Sequence, residues 1–274
     1  MQKNLYHLPV LSTPDLLAFR LFGPGLGNLM FPIARAVVGQ KKLGGVMVPP
    51  TLRQIKFGTY ARREPDKRTY GSLMEHRTMA DWNNRFWSLF QRKVTEENFD
   101  RNKHESATIV YQGLGNFFHD IKQESAEICG WLVKRSSHKV DFTRDIDISV
   151  HVRRGDFVNA NGSGANIQIP DEWYIGALQE ARKLIGGRNQ RCVIFTDGPI
   201  DQIKDLSQRL GAEVDASPNA LASLLSMSRG RIIITSRSTF SMWAVFLGDR
   251  VAIWDRTFAS SGYWPHRPDL DLVF

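Results

Sequence analysis

Residues 151–156 read His-Val-Arg-Arg-Gly-Asp and lie at the end of a predicted buried strand over residues 146–152. Side chains alternate along a strand, so His151 and Arg153 share one face of it. Two adjacent arginines at the end of a strand, here Arg153 and Arg154, make a fork suited to a diphosphate. The alternative interpretation is a surface salt bridge between an arginine and Asp156, next to a buried histidine.

A second carboxylate, Asp197, follows the predicted strand over residues 192–196. An aspartate at this position can accept two hydrogen bonds from a ribose diol or from the edge of a guanine. It can equally cap the helix that is predicted to begin near Ile200. The sequence leaves both roles open.

Hydroxyl side chains follow a third predicted strand, over residues 231–235. Ser238, Thr239 and Ser241 lie at the start of a predicted helix. The free backbone N–H groups of a helix N-terminus bind anions, and the hydroxyls add further donors. Capping of the helix by Ser238 or Thr239 is compatible with this role. Three strand ends thus offer donors for phosphates and an acceptor for a base or sugar, which favours nucleotide binding.

The elements that position these residues alternate strictly between strands and helices. Helices are predicted over residues 170–185, 200–210, 220–227 and 239–247, and strands over residues 146–152, 192–196, 213–215, 231–235 and 251–254. This alternation predicts an α/β fold, a parallel sheet with helices on both faces. Ligands of such sheets bind beyond the carboxyl ends of the strands, where the three polar segments fall.

The first half of the chain has a less regular pattern. Strands are predicted over residues 16–22, 46–48 and 109–112, and helices over residues 29–43 and 119–134, while residues 51–106 are irregular and basic. A glycine-rich turn at residues 23–28 separates the first strand from the first helix. Its glycines are evenly spaced, unlike the dinucleotide-binding fingerprint, and the chain has no phosphate-loop, GxSxG or HExxH motif.

One amphipathic segment stands out within the basic region. Trp82, Phe86, Leu89 and Phe90 fall at helical spacing, with Lys93 at the edge of the stripe. The simpler prediction is a helix whose apolar stripe faces the core. The alternative is an aromatic and basic face that meets nucleic acid or a membrane surface.

Composition and charge narrow the class of protein further. The 274 residues are 42% hydrophobic and 23% charged, as in globular proteins. The net charge of +8 comes from residues 1–140, with 21 Lys and Arg against 12 Asp and Glu, because residues 141–274 carry 15 against 16. Cys129 and Cys192 form no ligand cluster and are expected to be small buried hydrophobes. No apolar leader or membrane-spanning run is present, so we expect a cytoplasmic protein.

The motifs resemble those of glycosyltransferase family 11, the α-1,2-fucosyltransferases. Residues 25–31 (GLGNLMF) are similar to the family's GLGNQMF, and residues 238–248 (STFSMWAVFLG) to its SSFSWWAAWLG. Residues 151–156 match its HxRRxD motif, whose core recurs in α-1,6- and protein O-fucosyltransferases. The order and spacing agree over about residues 16–255, but Leu29 replaces a usual Gln and Gly198 a common acidic residue.

The resemblance implies a GT-B fold, in which two Rossmann-like halves face each other across a cleft. The expected domains are residues 1–140, on the acceptor side, and residues 141–274, which bind GDP-fucose. By the resemblance, Arg153 and Arg154 hold the β-phosphate, and Asn28 reaches across from the opposite half. The remaining expected contacts are guanosine with His151 and Asp197, and the diphosphate with Ser238, Thr239 and Ser241.

The implied activity is an inverting transfer of L-fucose from GDP-fucose to a galactose hydroxyl, in α-1,2 linkage. The acceptor would be a glycan such as a bacterial surface polysaccharide precursor (O-antigen), and the basic half would allow peripheral contact with the inner face of a membrane. Asp156 is the nearest motif carboxylate for a general base, although it can equally brace the arginines. No metal or other cofactor is expected, because the arginines can take the part of a metal at the diphosphate. Asp145 and Asp147 spell DxD, a metal-binding pattern of other glycosyltransferases, but they precede their strand and so lie at the wrong end for this site.

Two alternative functions remain at this point. The first is another GDP-sugar-dependent transferase, of the protein O- or α-1,6-fucosyltransferase kind. The second is a basic protein that binds nucleic acid through residues 51–106.

Overall fold

The computed structural model describes residues 5–16, 18–55, 69–141, 145–155, 168–187, 189–259, 267 and 269–274. The chain forms two compact units, and the described part of the first ends at Ser137 where the second begins at His138. Within the described ranges, no helix is both long and apolar enough to cross a membrane.

The first unit contains a parallel sheet with helices packed against it. Its elements are β1 (Leu5–Val10), β2 (Arg20–Leu21), α1 (Leu26–Leu43), β3 (Val46–Met47), β4 (Gln54–Ile55), α2 (Met79–Phe90), β5 (Lys93–Thr95), β6 (Ala107–Gln112) and α3 (Ser125–Arg135). Strands β3, β1, β6 and β5 form a sheet in that order with every pair parallel, and β2 pairs separately with β4.

The strand predicted over residues 16–22 is wrong, because among its described residues only Arg20–Leu21 are in a strand. The central position belongs instead to β1, whose signal is weakened by His7 and Pro9. The buried His7 ring is satisfied on both sides, with Nδ1 2.9 Å from the Tyr111 hydroxyl and Nε2 2.8 Å from the Gly44 carbonyl oxygen. A polar group with both partners in place can be buried at little cost, which explains a histidine in a core strand.

The apolar stripe of α2 does not face the core, so the simpler prediction for this helix is wrong. Its buried residues are Asp81, Arg85 and Ser88, whereas Phe86 and Phe90 are 53% and 68% exposed. Ion pairs of Arg85 with Asp15 and of Asp81 with Arg135, partners far away in the sequence, hold the helix in this orientation.

The second unit is the predicted α/β unit. Its elements are β7 (Ile148–Val152), α4 (Asp171–Ile185), β8 (Cys192–Thr196), α5 (Lys204–Leu210), β9 (Glu213–Val214), α6 (Ala220–Met227), β10 (Ile232–Ile234), α7 (Thr239–Gly248), β11 (Val251–Trp254), α8 (Arg256–Ala259) and β12 (Leu272–Val273). The strands form one sheet in the order β12-β11-β10-β7-β8-β9. All pairs are parallel, as predicted.

Two predicted helices begin with a separate short turn. The segment predicted over residues 119–134 is a 3-10 helix at Phe117–Asp120 followed by α3. The segment predicted over residues 200–210 is a 3-10 helix at Ile200–Gln202 followed by α5, which ends at Gly211 in the left-handed conformation with φ of 59°.

The strand order creates a switch point in the second sheet. The chain adds β8 and β9 on one side of β7 and then crosses to add β10, β11 and β12 on the other. Val150 and Val152 on one face of β7 belong to an apolar core with Tyr174 and Leu178 of α4. His151 lies on the opposite face, towards α7, so polar groups collect at the carboxyl ends of the neighbouring strands β7 and β10.

Candidate nucleotide site at the carboxyl ends of the second sheet

The three polar strand ends predicted from separate segments meet at this switch point. Val150 of β7 is aligned with Ile234 of β10, and Val152 of β7 is aligned with Thr196 of β8. The residues that follow these strands therefore lie side by side at one edge of the sheet. In open parallel sheets, the crevice at such a switch point is where ligands bind.

Arg153 is the residue that joins the three ends. Its Nη1 donates to the Ser238 hydroxyl at 2.9 Å, and its Nε lies 3.5 Å from a carboxylate oxygen of Asp197. The side chain remains 22% exposed. A partly exposed guanidinium, held in place from both sides, is suited to bind an anion without first losing side-chain freedom.

Arg154 does not share this position, so the structure does not bring the two guanidiniums together as a fork. The buried side chain of Arg154 turns away, forms an ion pair with Asp171 at the start of α4, and donates to the Ile169 carbonyl oxygen at 3.3 Å. These contacts tie the strand end to α4. The proposed phosphate contact of Arg154 stays a prediction that this geometry does not favour.

Asp197 holds the backbone of the arginine segment. One carboxylate oxygen accepts from the backbone N–H of Arg154 at 2.9 Å and of Gly155 at 3.0 Å. The cap of the following 3-10 helix is Pro199, so the capping alternative for Asp197 is wrong. Its contact with guanosine stays a prediction.

Two glycines permit this close packing. A Cβ atom on Gly198 would lie 2.5 Å from the Cβ of Arg154, and one on Gly155 would lie 2.9 Å from the Asp197 carboxylate. Either distance is shorter than real Cβ atoms allow. This explains why Gly198 stands where a larger acidic residue is expected from the resemblance.

His151 is buried beneath the same edge. Its Nδ1 lies 2.7 Å from the Ser236 hydroxyl, and its ring centroid lies 5.3 Å from that of Phe240. Burial lowers the pKa of His151 to about 4, and the positive charge of Arg153 acts in the same direction, against an opposing effect of Asp197. The imidazole is therefore neutral at physiological pH, with Ser236 fixing one ring nitrogen. Ser236 belongs to the third polar strand end, but its contact with His151 was not predicted from the sequence.

The hydroxyl-rich segment forms the N-terminus of α7. Ser238 caps the helix by accepting from the Phe240 N–H at 3.1 Å, so its capping role is confirmed. Thr239 is the first helical residue and is half-buried. Ser241 is fully buried and donates back to the carbonyl oxygens of Ser236 and Ser238, so it tightens the turn. Ser238 thus links the helix N-terminus directly to Arg153.

Asn28 and Asp156 are the remaining two predicted site residues. Asn28 is in the first turn of α1 in the first unit, and its side-chain oxygen is buried with no hydrogen-bond partner among the described residues. Asp156 lies outside the described residues. The roles of both stay predictions.

The DxD carboxylates lie at the other end of β7. Asp147 accepts from the Arg191 N–H at 2.9 Å and pairs with Arg231 at 3.4 Å. Asp145 is almost fully exposed. Both precede the strand, as predicted, and Asp147 braces the amino edge of the sheet.

The first unit has a pocket of its own, of about 350 Å³. Trp82 and Trp131 supply aromatic walls, and Arg77 lies over the Trp82 ring at 4.9 Å from its centroid. Arg135 also lines it and pairs with Asp81 at 3.0 Å. Burial lowers the pKa of Arg77 to about 10, helped by the charge of Arg85. Aromatic faces beside paired charges are chemically suited to a sugar.

Comparison with solved structures assigns the fold. POFUT1, solved in complex with GDP, is 12% identical and aligns over 90% of this chain and 95% of its own with a TM-score of 0.50. NodZ, a fucosyltransferase from Bradyrhizobium, is 16% identical, covering 89% of this chain and 92% of its own with a TM-score of 0.38. The E. coli heptosyltransferase WaaC is 8% identical, covering 98% and 92% with a TM-score of 0.45. The similarity to POFUT1 confirms the expected GT-B fold class.

Sequence comparison assigns the family. The model described as glycosyl transferase family 11 matches residues 117–263, which is more than half of the chain. The chain therefore belongs to glycosyl transferase family 11. The arginine motif and the α7 segment lie inside the matched region, whereas residues 25–31 lie outside it. No curated protein sequence matches the chain.

Proposed function

We propose that this protein transfers L-fucose from GDP-fucose to the 2-hydroxyl of a terminal galactose, with inversion, as a galactoside 2-α-L-fucosyltransferase. The observation that carries the proposal is Arg153, held by Ser238 and Asp197 at the switch point beside the N-terminus of α7. Membership of family 11 and a fold similar to that of POFUT1, which was solved with GDP, support the same donor.

The site suits a reaction in which a diphosphate leaves. As the bond from fucose to GDP breaks, the sugar acquires oxocarbenium character and the diphosphate gains negative charge. Arg153 and the backbone N–H groups at the start of α7 stabilise that charge more in the transition state than in the ground state. In this proposal no metal is needed, and the neutral His151 contributes to the guanosine pocket.

The acceptor is assigned to the first unit. We place the galactose in the pocket lined by Trp82 and Trp131, because aromatic rings stack on the apolar face of a sugar while charged groups bind its hydroxyls. Asn28 reaches towards the sugars, and Asp156 acts as general base or as a brace for the arginines. The acceptor is a bacterial surface glycan precursor of the O-antigen kind, handled in the cytoplasm at the inner face of the membrane.

The test is incubation with GDP-fucose and a galactoside, followed by determination of the product's linkage by nuclear magnetic resonance. We expect fucose in α-1,2 linkage to galactose, with no transfer from UDP- or ADP-sugars. Fucose on another position or on a peptide would assign the protein to the α-1,6- or protein O-fucosyltransferase kind. Transfer of a different sugar from its GDP derivative would refute the fucosyl assignment.

A further inference from the structure

Helix α2 presents its apolar side outward, and buried polar contacts fix that orientation. Nη2 of Arg85 lies 2.9 Å from each carboxylate oxygen of Asp15, in a buried ion pair. Asp81 pairs with Arg135 at 3.0 Å and exchanges capping hydrogen bonds with Thr78. A rotation that buried the aromatic side would break these contacts and leave charges unpaired in the interior, so the exposed face belongs to the folded state.

The outward face is a continuous apolar surface. Its members are Met79, Trp82, Phe86, Trp87, Leu89 and Phe90. The centroid of the Phe86 ring lies 4.9 Å from that of Phe90 and 5.7 Å from that of Trp87. Clusters of exposed aromatic side chains of this kind mark an interaction surface rather than a scattered set of exposed residues.

The chemistry of the surface favours an acidic lipid bilayer. Tryptophan, phenylalanine and leucine on one helix face are the residues that enter the region between headgroups and acyl chains. Arg92 and Lys93 are exposed directly after the helix, within the half of the chain that carries a net charge of +9. The only basic residue inside α2 is the buried Arg85, so the exposed cations lie at one end of the face rather than between its aromatic rings, unlike an aromatic platform that tracks a nucleic-acid backbone.

We propose that the outward face of α2 docks the protein on a membrane that contains anionic lipids. This extends the membrane contact proposed above and does not depend on fucosyl transfer. Trp82 belongs both to this face and to the wall of the pocket, so a bilayer against α2 lies next to the proposed acceptor site. The surface therefore suits an acceptor that is itself anchored in the bilayer.

The first experiment is co-sedimentation with phosphatidylcholine vesicles, with and without phosphatidylglycerol. The intact chain should bind the anionic vesicles, and the double variant Phe86→Ser, Phe90→Ser should not. The matched control is Leu184→Ser with Ile200→Ser, two similarly exposed apolar residues of the second unit, which should bind as the unchanged protein does. Replacing Arg92 and Lys93 with alanine should weaken binding about fivefold for each residue.

The second experiment reports the contact directly. Lipids brominated in the acyl chain should quench tryptophan fluorescence, and Trp87→Phe, which keeps the surface apolar, should reduce the quenching. Absence of vesicle binding, equal binding by the serine double variant, self-association through this face without vesicle binding, or binding to RNA alone would each overturn the proposal. Transfer to a soluble galactoside, measured in parallel, keeps failure of membrane docking distinct from failure of the proposed enzyme activity.

Discussion

Arg153 contacts a residue from each of the two other polar strand ends. It receives its position from Ser238 on one side and from Asp197 on the other, so little side-chain freedom remains to be lost when an anion binds. Its neighbour Arg154 has the same charge but is buried against α4. Adjacent arginines of one motif thus have different surroundings: Arg153 stays partly exposed at the candidate site, whereas Arg154 fastens the strand end to α4.

Arg153→Ala should lower the turnover of fucosyl transfer about 100- to 1000-fold, because a fixed donor to the leaving group is lost. Steady-state kinetics with GDP-fucose measures this. Arg191→Ala is the matched control, since this arginine pairs with Glu213 at the amino edge of the same sheet and should retain turnover. Near-normal turnover of Arg153→Ala would remove it from the reaction.

Replacement of Asp197 distinguishes its two roles. If the carboxylate only holds the backbone N–H groups of Arg154 and Gly155, Asp197→Ala weakens GDP and ADP binding by the same factor. If it also contacts guanosine, GDP binding falls more and the preference for GDP over ADP shrinks. Calorimetric titration of both nucleotides gives the answer, and Asp197→Asn, which keeps an acceptor oxygen, should be milder in either case.

His151 makes stability depend on pH. Its pKa is about 4 in the folded protein, against 6.5 when unfolded, because burial disfavours the charged ring. The unfolded chain therefore binds more protons as the pH falls from 6.5 towards 4, and the free energy of unfolding should drop by about 3 kcal/mol. Denaturant unfolding of the protein and of His151→Gln isolates this effect. An identical pH dependence in the variant would contradict it.

The start of α7 contributes both to the stability of its helix and to the candidate nucleotide site. Ser238 satisfies the Phe240 N–H and also holds Arg153, so one hydroxyl caps the helix and positions the ligand-facing residue. The switch point between β7 and β10 then places this N-terminus beside the arginine motif. Positive helix-end amides and a guanidinium converge at one strand edge, an arrangement that stabilises a diphosphate.

Ser238→Ala should cost about 1 kcal/mol of stability through the lost cap and should also weaken GDP binding. Asn219→Ala is the matched control, because Asn219 caps α6 through the Ala222 N–H at 2.9 Å. Thermal unfolding should shift similarly in both variants, whereas only Ser238→Ala should lower GDP affinity. Equal GDP affinity in both would show that Ser238 acts on the helix alone.

Sequence reasoning works well where an element is a buried apolar run bounded by turn residues. Strands β8 and β11 and helix α6 have the predicted bounds, and the three polar strand ends fall at the predicted edge. It fails where contacts with residues far away in the sequence decide which side chains are buried. The burial of His7 depends on Tyr111, and the inverted face of α2 depends on Asp15 and Arg135, none of which a local pattern reveals.

The net positive charge and the candidate nucleotide site lie in different halves of the chain. Residues 1–140 carry a net charge of +9, whereas residues 141–274, which contain Arg153, carry a net charge of −1. Arg92 and Lys93, exposed directly after the apolar face of α2, are part of that positive charge. The candidate nucleotide site lies in the nearly neutral half, so in our proposal its selectivity comes from fixed donors rather than from net charge.

Calorimetric titration of the full chain with GDP, ADP and UDP asks directly whether the second sheet holds a GDP-sugar site. We predict that GDP binds at least about tenfold more tightly than the other two, through groups that pair with the guanine edge. Arg153→Ala should weaken the GDP affinity. Equal affinity for all three nucleotides, or no binding of GDP, would contradict a GDP-sugar site at the carboxyl ends of β7, β8 and β10.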